Sequence, residues 1–273
     1  MKIAVVTKPN MQEHSTRLGV LDVLKNEPDC NVVVCESASK IPADADKVLV
    51  FGGDGTVLDA VCAINGRYAP VLGVNLGNLG FLTAFEKDVN PSDVIAALKN
   101  GKSISRMLLD VLVGDDEEEF CALNEVVIKT YGTRPITLDV SVDGKFVDSY
   151  HSDGLIISSP AGSTAYSLSA GGPVLAPDVD ALVINPICAH SLHSRPLVVS
   201  ASSTVKVTVT STSARGMVAN VIIDGNNRYS MQMDESVIVT KSAKKAEFIS
   251  VDGDSFYTKL LQKMNRWGTT LRQ

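Results

Sequence analysis

Aromatic residues are scarce. Phe, Trp and Tyr together make up 5% of the 273 residues, which argues against the base-stacking platforms that grip single-stranded nucleic acid. Runs rich in Lys or Arg are missing as well, and the net charge is -6, so the electrostatic footprint of a nucleic-acid binder is absent. The five cysteines (Cys30, Cys35, Cys62, Cys121 and Cys188) include no Cys-x-x-Cys pair. An odd number without paired spacing reads as buried, reduced thiols rather than a disulfide framework or a zinc site. No stretch approaches the roughly 18 apolar residues of a membrane span, and the apolar run at Ile3–Val6 is too short for a signal peptide. These absences predict a soluble, cytoplasmic protein with neither membrane nor nucleic acid as a partner. With 45% apolar and 21% charged residues, what remains is ordinary globular composition, on a chain long enough for two domains.

Residues 1–100 alternate strand and helix. Short β-branched runs at Ile3–Val6, Asn31–Val34, Lys47–Phe51 and Val71–Val74 read as buried strands. Helical spacing appears over Gln12–Asn26, Val57–Asn65 and Pro91–Asn100, the last with Pro at its start and Gly101 just past its end. The rhythm implies an α/β domain built on a parallel sheet. Residues 101–255 are β-rich, with strands expected at 107–113, 120–129, 138–142, 146–150, 155–158, 198–199, 205–210, 221–224, 237–240 and 248–251, and turns at Asp143-Gly144 and Asp224-Gly225. Only Ser163–Ala170 reads as helical there, and the acidic run Asp115–Glu119 reads as a solvated hairpin tip. Helical spacing returns over Phe256–Trp267, and a helix at 256–273 is expected to pack back on the first domain.

Phe51-Gly52-Gly53-Asp54-Gly55-Thr56 follows a strand and opens a helix. Adjacent glycines at such a junction let the chain turn sharply and expose its N–H groups, and the helix start adds a positive end. With Thr56 as a candidate cap, the segment reads as a phosphate cradle made by Gly52, Gly53, Gly55 and Thr56. Asp54 is the odd member, because a carboxylate repels phosphate. It serves either the geometry of a tight turn or the removal of a proton from an attacking alcohol. The spacing matches neither a Walker A loop nor a Rossmann fingerprint. A second glycine loop follows at Gly73, Gly77 and Gly80, which permits close approach of a ligand or a neighbouring chain, or serves packing alone. In 154–170, a buried strand, a turn at Pro160 and Gly162, and a short helix aim hydroxyls of Ser163, Thr164, Ser167 and Ser169 and the ring of Tyr166 into a cleft. Asp153 opens that strand with a carboxylate, a group suited to a ribose diol.

These segments resemble the NAD kinase family. Gly52 to Thr56 is similar to a signature shared with 6-phosphofructokinases and diacylglycerol kinases. Leu76 to Thr83, Leu123-Asn124-Glu125-Val126 and above all Ser152 to Pro173 narrow the resemblance to NAD kinases. Pro186, His190, Arg195-Pro196, Asp224-Gly225 and the closing Phe256 to Trp267-Gly268 continue it in order. The resemblance implies a two-domain fold and transfer of the γ-phosphoryl group of ATP, or of polyphosphate, to the 2′-hydroxyl of the adenosine ribose of NAD. It implies Asp54 as general base and a dinucleotide site drawn from Asp54, Gly55, Phe81, Asn124, Glu125, Arg134, His151, Asp153, Thr164, Ala165, Tyr166, Ser167, Leu168, Ser169 and Asn226. Mg²⁺ or another divalent metal is expected to arrive with the donor rather than at a dedicated protein site, and the assembly to be a homodimer or homotetramer. Two departures stand out. His151 occupies a position where many members carry Arg, and Ser159 and Ala161 replace the commoner threonines around Pro160. The alternatives are a lipid or sugar kinase of the same superfamily and a non-catalytic NAD-binding sensor.

Overall fold

The computed structural model describes every residue except 115–117, 131, 192, 212–218, 252–255 and 271–273, together with the side chains of 211 and 266–270. The expected acidic hairpin tip and the closing Trp267-Gly268 therefore lie wholly or partly outside the described residues. The chain divides into two compact units, Met1–Ser105 with Ala246–Gln273, and Arg106–Lys245. The divisions differ from the boundaries expected at 100 and 255 because one long strand crosses each of them.

The first unit opens with β1 (Lys2–Thr7), α1 (Ser15–Lys25), β2 (Asn31–Cys35), β3 (Lys47–Phe51), α2 (Asp54–Ile64), β4 (Val71–Val74), α3 (Pro91–Asn100) and β5 (Lys102–Val113). Strands β2, β1, β3 and β4 pair in that order, all parallel. Side chains alternate across β3. Leu49 and Phe51 join Val20, Leu21 and Leu24 of α1 and Val94, Ile95 and Leu98 of α3 in one core, while Val48 and Val50 point to the face covered by α2. Helices on both faces leave these strands uniformly apolar. Because β1 pairs with β2 on one side and β3 on the other, the chain reverses direction across the sheet between β1 and β3. The carboxyl ends flanking such a switch point form a crevice where ligands bind in open α/β sheets.

The second unit continues from β5 through β6 (Glu118–Ala122), β7 (Glu125–Thr130), β8 (Ile136–Val142), β9 (Lys145–Ser152), β10 (Gly154–Ser158), α4 (Tyr166–Ser169), β11 (Ala181–Ile187), β12 (Leu197–Ser200), β13 (Val205–Ser211), β14 (Ala219–Ile223), β15 (Asn226–Met231) and β16 (Ser236–Ser250). One antiparallel sheet runs β12-β11-β10-β7-β14-β15. A second pairs β16 with β13, β13 with β8 and β8 with β9. Leu138 and Val207 from the second sheet and Ile128, Ile157 and Ile184 from the first share one core. The opposite face of the first sheet buries Val127, Ile156 and Ile187 under Ala170, so β10 and β11 are buried throughout. The end of β16 belongs to the first unit, where Phe248 pairs with Val71, and α5 (Phe256–Thr270) closes the described chain.

Several expectations need correction. The run expected as one strand over 120–129 breaks at Leu123-Asn124 into β6 and β7, and the runs at 237–240 and 248–251 are a single strand, β16. Helix α2 starts at Asp54 rather than Val57, and α1 starts at Ser15 rather than Gln12. Ser163–Ala170 is not one helix. A 3₁₀ turn over Ala161–Thr164 and the single turn of α4 are separated by Ala165, whose ψ of -127° is not helical. Among the cysteines only Cys35 is buried, and Cys62 and Cys188 are exposed.

Candidate active site

In the first unit the glycine turn after β3 leads straight into α2. Gly53 is the N-cap and offers no side-chain cap, so Thr56 does not cap this helix. Instead its hydroxyl lies where a Cβ on Gly52 would meet it at 2.5 Å, which reserves position 52 for glycine. A Cβ on Gly53 or Gly55 would meet nothing within 4 Å. These two residues present bare backbone to open space, at a helix start whose first amides have no side-chain partner.

Asp54 occupies the first turn of α2, and its carboxylate is clamped by the second glycine loop. The Phe81 amide donates to Oδ2 and the Leu82 amide to Oδ1, both at 2.9 Å. A Cβ on Gly80 would lie 2.2 Å from Asp54 Oδ1, so only glycine lets the loop come this close. Gly73 is similarly pressed against Thr83, at 3.0 Å. A Cβ on Gly77 would meet only Asn75 Oδ1, at 4.0 Å, so the space beside this glycine is open. Asn75 shapes the loop from inside: its carbonyl oxygen accepts from the Gly77 amide at 3.0 Å, while its amide group donates to Asn78 O at 2.8 Å and to Glu86 at 2.9 Å.

Two lysines that sequence reasoning missed reach the same loop from α5. Lys259 Nζ donates to Thr83 O at 2.6 Å and Phe81 O at 3.5 Å. Lys263 Nζ lies 3.9 Å from the centre of the Phe81 ring. Burial pushes the Lys263 ammonium down from the ordinary lysine range, a shift that Lys259 reinforces and the charges of Asp54 and Glu86 oppose. A helical apolar stripe was the legible signal in α5, and its lysines carried none of their own.

The second unit builds a separate cradle at the break between β6 and β7. The amides of Leu123, Asn124 and Glu125 all donate to the Asp224 carboxylate, at 2.7, 2.8 and 3.1 Å. Asp224 opens the β14–β15 turn with a φ of +47°, followed by Gly225 at +81°, a pair of left-handed conformations suited to an Asp-Gly hairpin. The turn at Pro160–Gly162 rests on Asn124, whose carbonyl oxygen would be 2.1 Å from a Cβ on Gly162. Ser159 fastens it, with its amide donating to Asn124 O at 2.9 Å and its hydroxyl to Leu123 O at 2.5 Å. Glu125 is buried beside Asp224. Desolvation first, and the Asp224 charge second, lift its carboxyl to about 8, and its Oε2 has no hydrogen-bond partner. Burial also raises Asp224, against the pull of its three amide donors and Arg228.

The other expected residues of this unit separate by exposure. Tyr166, Ser169, Arg134, His151 and Asn226 are exposed, while Asp153, Thr164, Ala165 and Leu168 are half-buried. Ser163 and Ser167 do not present free hydroxyls to a cleft. Ser163 Oγ donates to Pro160 O and accepts from the Leu175 amide, at 2.7 and 2.9 Å. Ser167 is anchored by Asn185, whose side-chain amide donates to Ser167 O at 2.9 Å. His151 shares a hydrogen bond with Thr137 Oγ1 at 3.2 Å and meets the His190 ring edge-on at 5.3 Å.

Residues 3–102 match the model of the ATP-NAD kinase N-terminal domain, and residues 123–251 that of the ATP-NAD kinase C-terminal domain. The chain is 40% identical over 233 residues to an NAD kinase of Methanothermobacter thermautotrophicus, covering 82% of this chain and 78% of the relative. Two crystal structures are similar in fold. A yeast NADH kinase complexed with NADH has a TM-score of 0.81 at 25% identity, over 93% of this chain and 84% of the other. An Archaeoglobus fulgidus NAD kinase in complex with ATP has a TM-score of 0.79 at 26% identity, over 93% and 95%.

Proposed function

The chain belongs to the NAD kinase family, and from that premise we propose that it transfers the γ-phosphoryl group of ATP to the adenosine ribose 2′-hydroxyl of NAD with Asp54 as general base. The hydroxyl oxygen forms a bond to the γ-phosphorus, the bond from that phosphorus to the β-bridging oxygen breaks, and ADP leaves. The hydroxyl proton passes to Asp54. The single observation that carries this assignment is the clamp. Two amide donors fix the carboxylate beside Gly53 and Gly55, whose backbone borders open space, a place where an anionic phosphate finds amide donors and the carboxylate finds an alcohol.

A divalent cation arriving with the donor would supply charge neutralisation. The residues around Asp54 suit that division of labour, because the bare backbone at Gly53 and Gly55 borders open space. Asn124, Glu125, Asp153, Thr164 to Ser169 and Asn226 hold the dinucleotide, with Phe81, His151 and Arg134 as further contacts. Within this set, Ser167 contributes through the backbone it steadies, since Asn185 engages its side chain. The assembly is a homodimer or homotetramer.

A matrix of donors (ATP, polyphosphate) against acceptors (NAD, NADH, diacylglycerol, fructose 6-phosphate) tests the reading. Formation of NADP or NADPH with Mg-ATP is the expected outcome. Phosphorylation of the lipid or sugar but not of NAD, or NAD binding without product, would sink it.

A further inference from the structure

Helix α5 holds the loop on either side of Leu82, through Phe81 and Thr83. The Phe81 ring lies under the Lys263 ammonium, 3.9 Å from its centre, and 6.1 Å from the Phe256 ring. Lys259 spans Leu82, with its ammonium directed at the carbonyl oxygens of Thr83 and Phe81 on either side, at 2.6 and 3.5 Å. The peptide group joining Phe81 to Leu82 therefore stands between two opposite charges. Its carbonyl faces the Lys259 cation, and its N–H donates to Asp54 Oδ1 at 2.9 Å. A cation at the oxygen and an anion at the N–H polarise one amide in the same sense, so each interaction strengthens the other. Gly80 leaves the loop no slack, since even a methyl group there would collide with the carboxylate at 2.2 Å.

We infer that α5, acting through Lys259, sets the direction of the Asp54 carboxylate, and that Lys259 is a positioning residue for phosphoryl transfer although it lies 178 positions along the chain from Phe81. The inference rests on the assignment of Asp54 as the base. A lysine on a solvated helix ordinarily extends its charged head into water. This one directs its head at backbone carbonyls, where it serves the loop. Removing the charge loosens the clamp, so the carboxylate leaves the line of the incoming hydroxyl while the substrate contacts remain.

Four versions of the full chain decide the matter: Asp54→Asn, Lys259→Met, Lys259→Arg and the double variant Asp54→Asn with Lys259→Met. Asp54→Asn alone tests the base assignment, and near-normal turnover there overturns both readings. If Asp54→Asn is impaired, Lys259→Met is expected to lower kcat by about tenfold or more with KM for NAD and ATP within about twofold, the pattern of an interaction used in the transition state. Lys259→Arg should keep kcat within about threefold, because the charge and the donors remain. In the Asp54→Asn background Lys259→Met should take away less than about twofold more, since residues acting through one another do not add. A kcat within about twofold of the parent for Lys259→Met, or an equal loss in both backgrounds, overturns the inference and leaves the base assignment standing. If Lys259→Met loses its cooperative melt, Lys259→Gln takes its place under the same criteria.

Discussion

Asp54 and Asp224 are held alike in unlike surroundings. Each carboxylate accepts backbone amides from a loop distant in sequence: two for Asp54, from Phe81 and Leu82, and three for Asp224, from Leu123, Asn124 and Glu125. What differs is the company on the remaining side. Asp54 neighbours Gly53 and Gly55, which border open space, and exerts its field on a lysine of α5. Asp224 neighbours a second buried carboxyl group, Glu125, and burial raises both. A carboxylate clamped beside an open glycine turn is placed to meet a substrate. A carboxylate clamped at a strand break, under another acid, is placed to tie β6, β7 and the β14–β15 turn together. The number of amide donors does not separate the two roles, and the surroundings do.

Substitution should split the pair cleanly. Asp54→Asn keeps the shape and removes the proposed base. Turnover should fall by at least about a hundredfold, the scale of general-base help, while a cooperative melt survives with its midpoint lowered by roughly 2–5 °C, because one of the two clamping amides loses its acceptor. Steady-state kinetics and a thermal melt together check this. Full turnover, or a collapse of the melt, would erase the contrast.

Asp224→Ala should act the other way round and strike stability. Three buried amides lose their acceptor, and orphaned groups of this kind are expensive, so the loss should be about 2–4 kcal/mol. For a chain of this size that corresponds to a fall in Tm on the order of 5–10 °C. Asp224→Asn, which keeps one carbonyl acceptor, should lose roughly half as much. An unchanged melt for Asp224→Ala would mean that the clamp carries no weight in the fold.

The architecture was legible wherever periodicity was strong. The four parallel strands and α3 follow from runs such as Lys47–Phe51 and from Pro91 and Gly101 at the ends of the helix. Legibility failed where tertiary contacts override local pattern. Strand β11 (Ala181–Ile187) is apolar but interrupted by Asn185 and Pro186, and Asn185 is there to anchor Ser167. Strand β15 (Asn226–Met231) is mostly polar because its outer positions are exposed. The break at Leu123-Asn124 is invisible in a continuous β-prone run, since its cause is Asp224, about a hundred residues away. Within the site, Asp54 and its glycines announced themselves through an ill-matched carboxylate in a phosphate-like turn. Lys259 and Lys263 gave no such signal, because a lysine on an amphipathic helix is the commonest of surface residues and only the fold shows where its head points.

The last expected effect, which appears only as the pH rises, concerns the acid beside Asp224. Its carboxyl stands at about 8 in the folded protein against an ordinary 4.5. Below pH 4 both folded and unfolded chains carry the proton, and Glu125 contributes nothing to pH dependence. As the pH rises from 4.5 to 8, the unfolded chain gives up a proton that the folded chain retains, so stability drains away across that window. Above 8 both states are ionised and the penalty is constant. Glu125→Gln cannot ionise, so its melting temperature relative to the parent should be near level at pH 5. It should climb by roughly 5–10 °C by pH 8 and stay nearly flat to pH 9. A gap that is level from pH 5 to 9 would place the Glu125 carboxyl in the ordinary range. The cradle at the strand break would then hold two ionised acids, and its contrast with the Asp54 turn would have to rest on geometry alone.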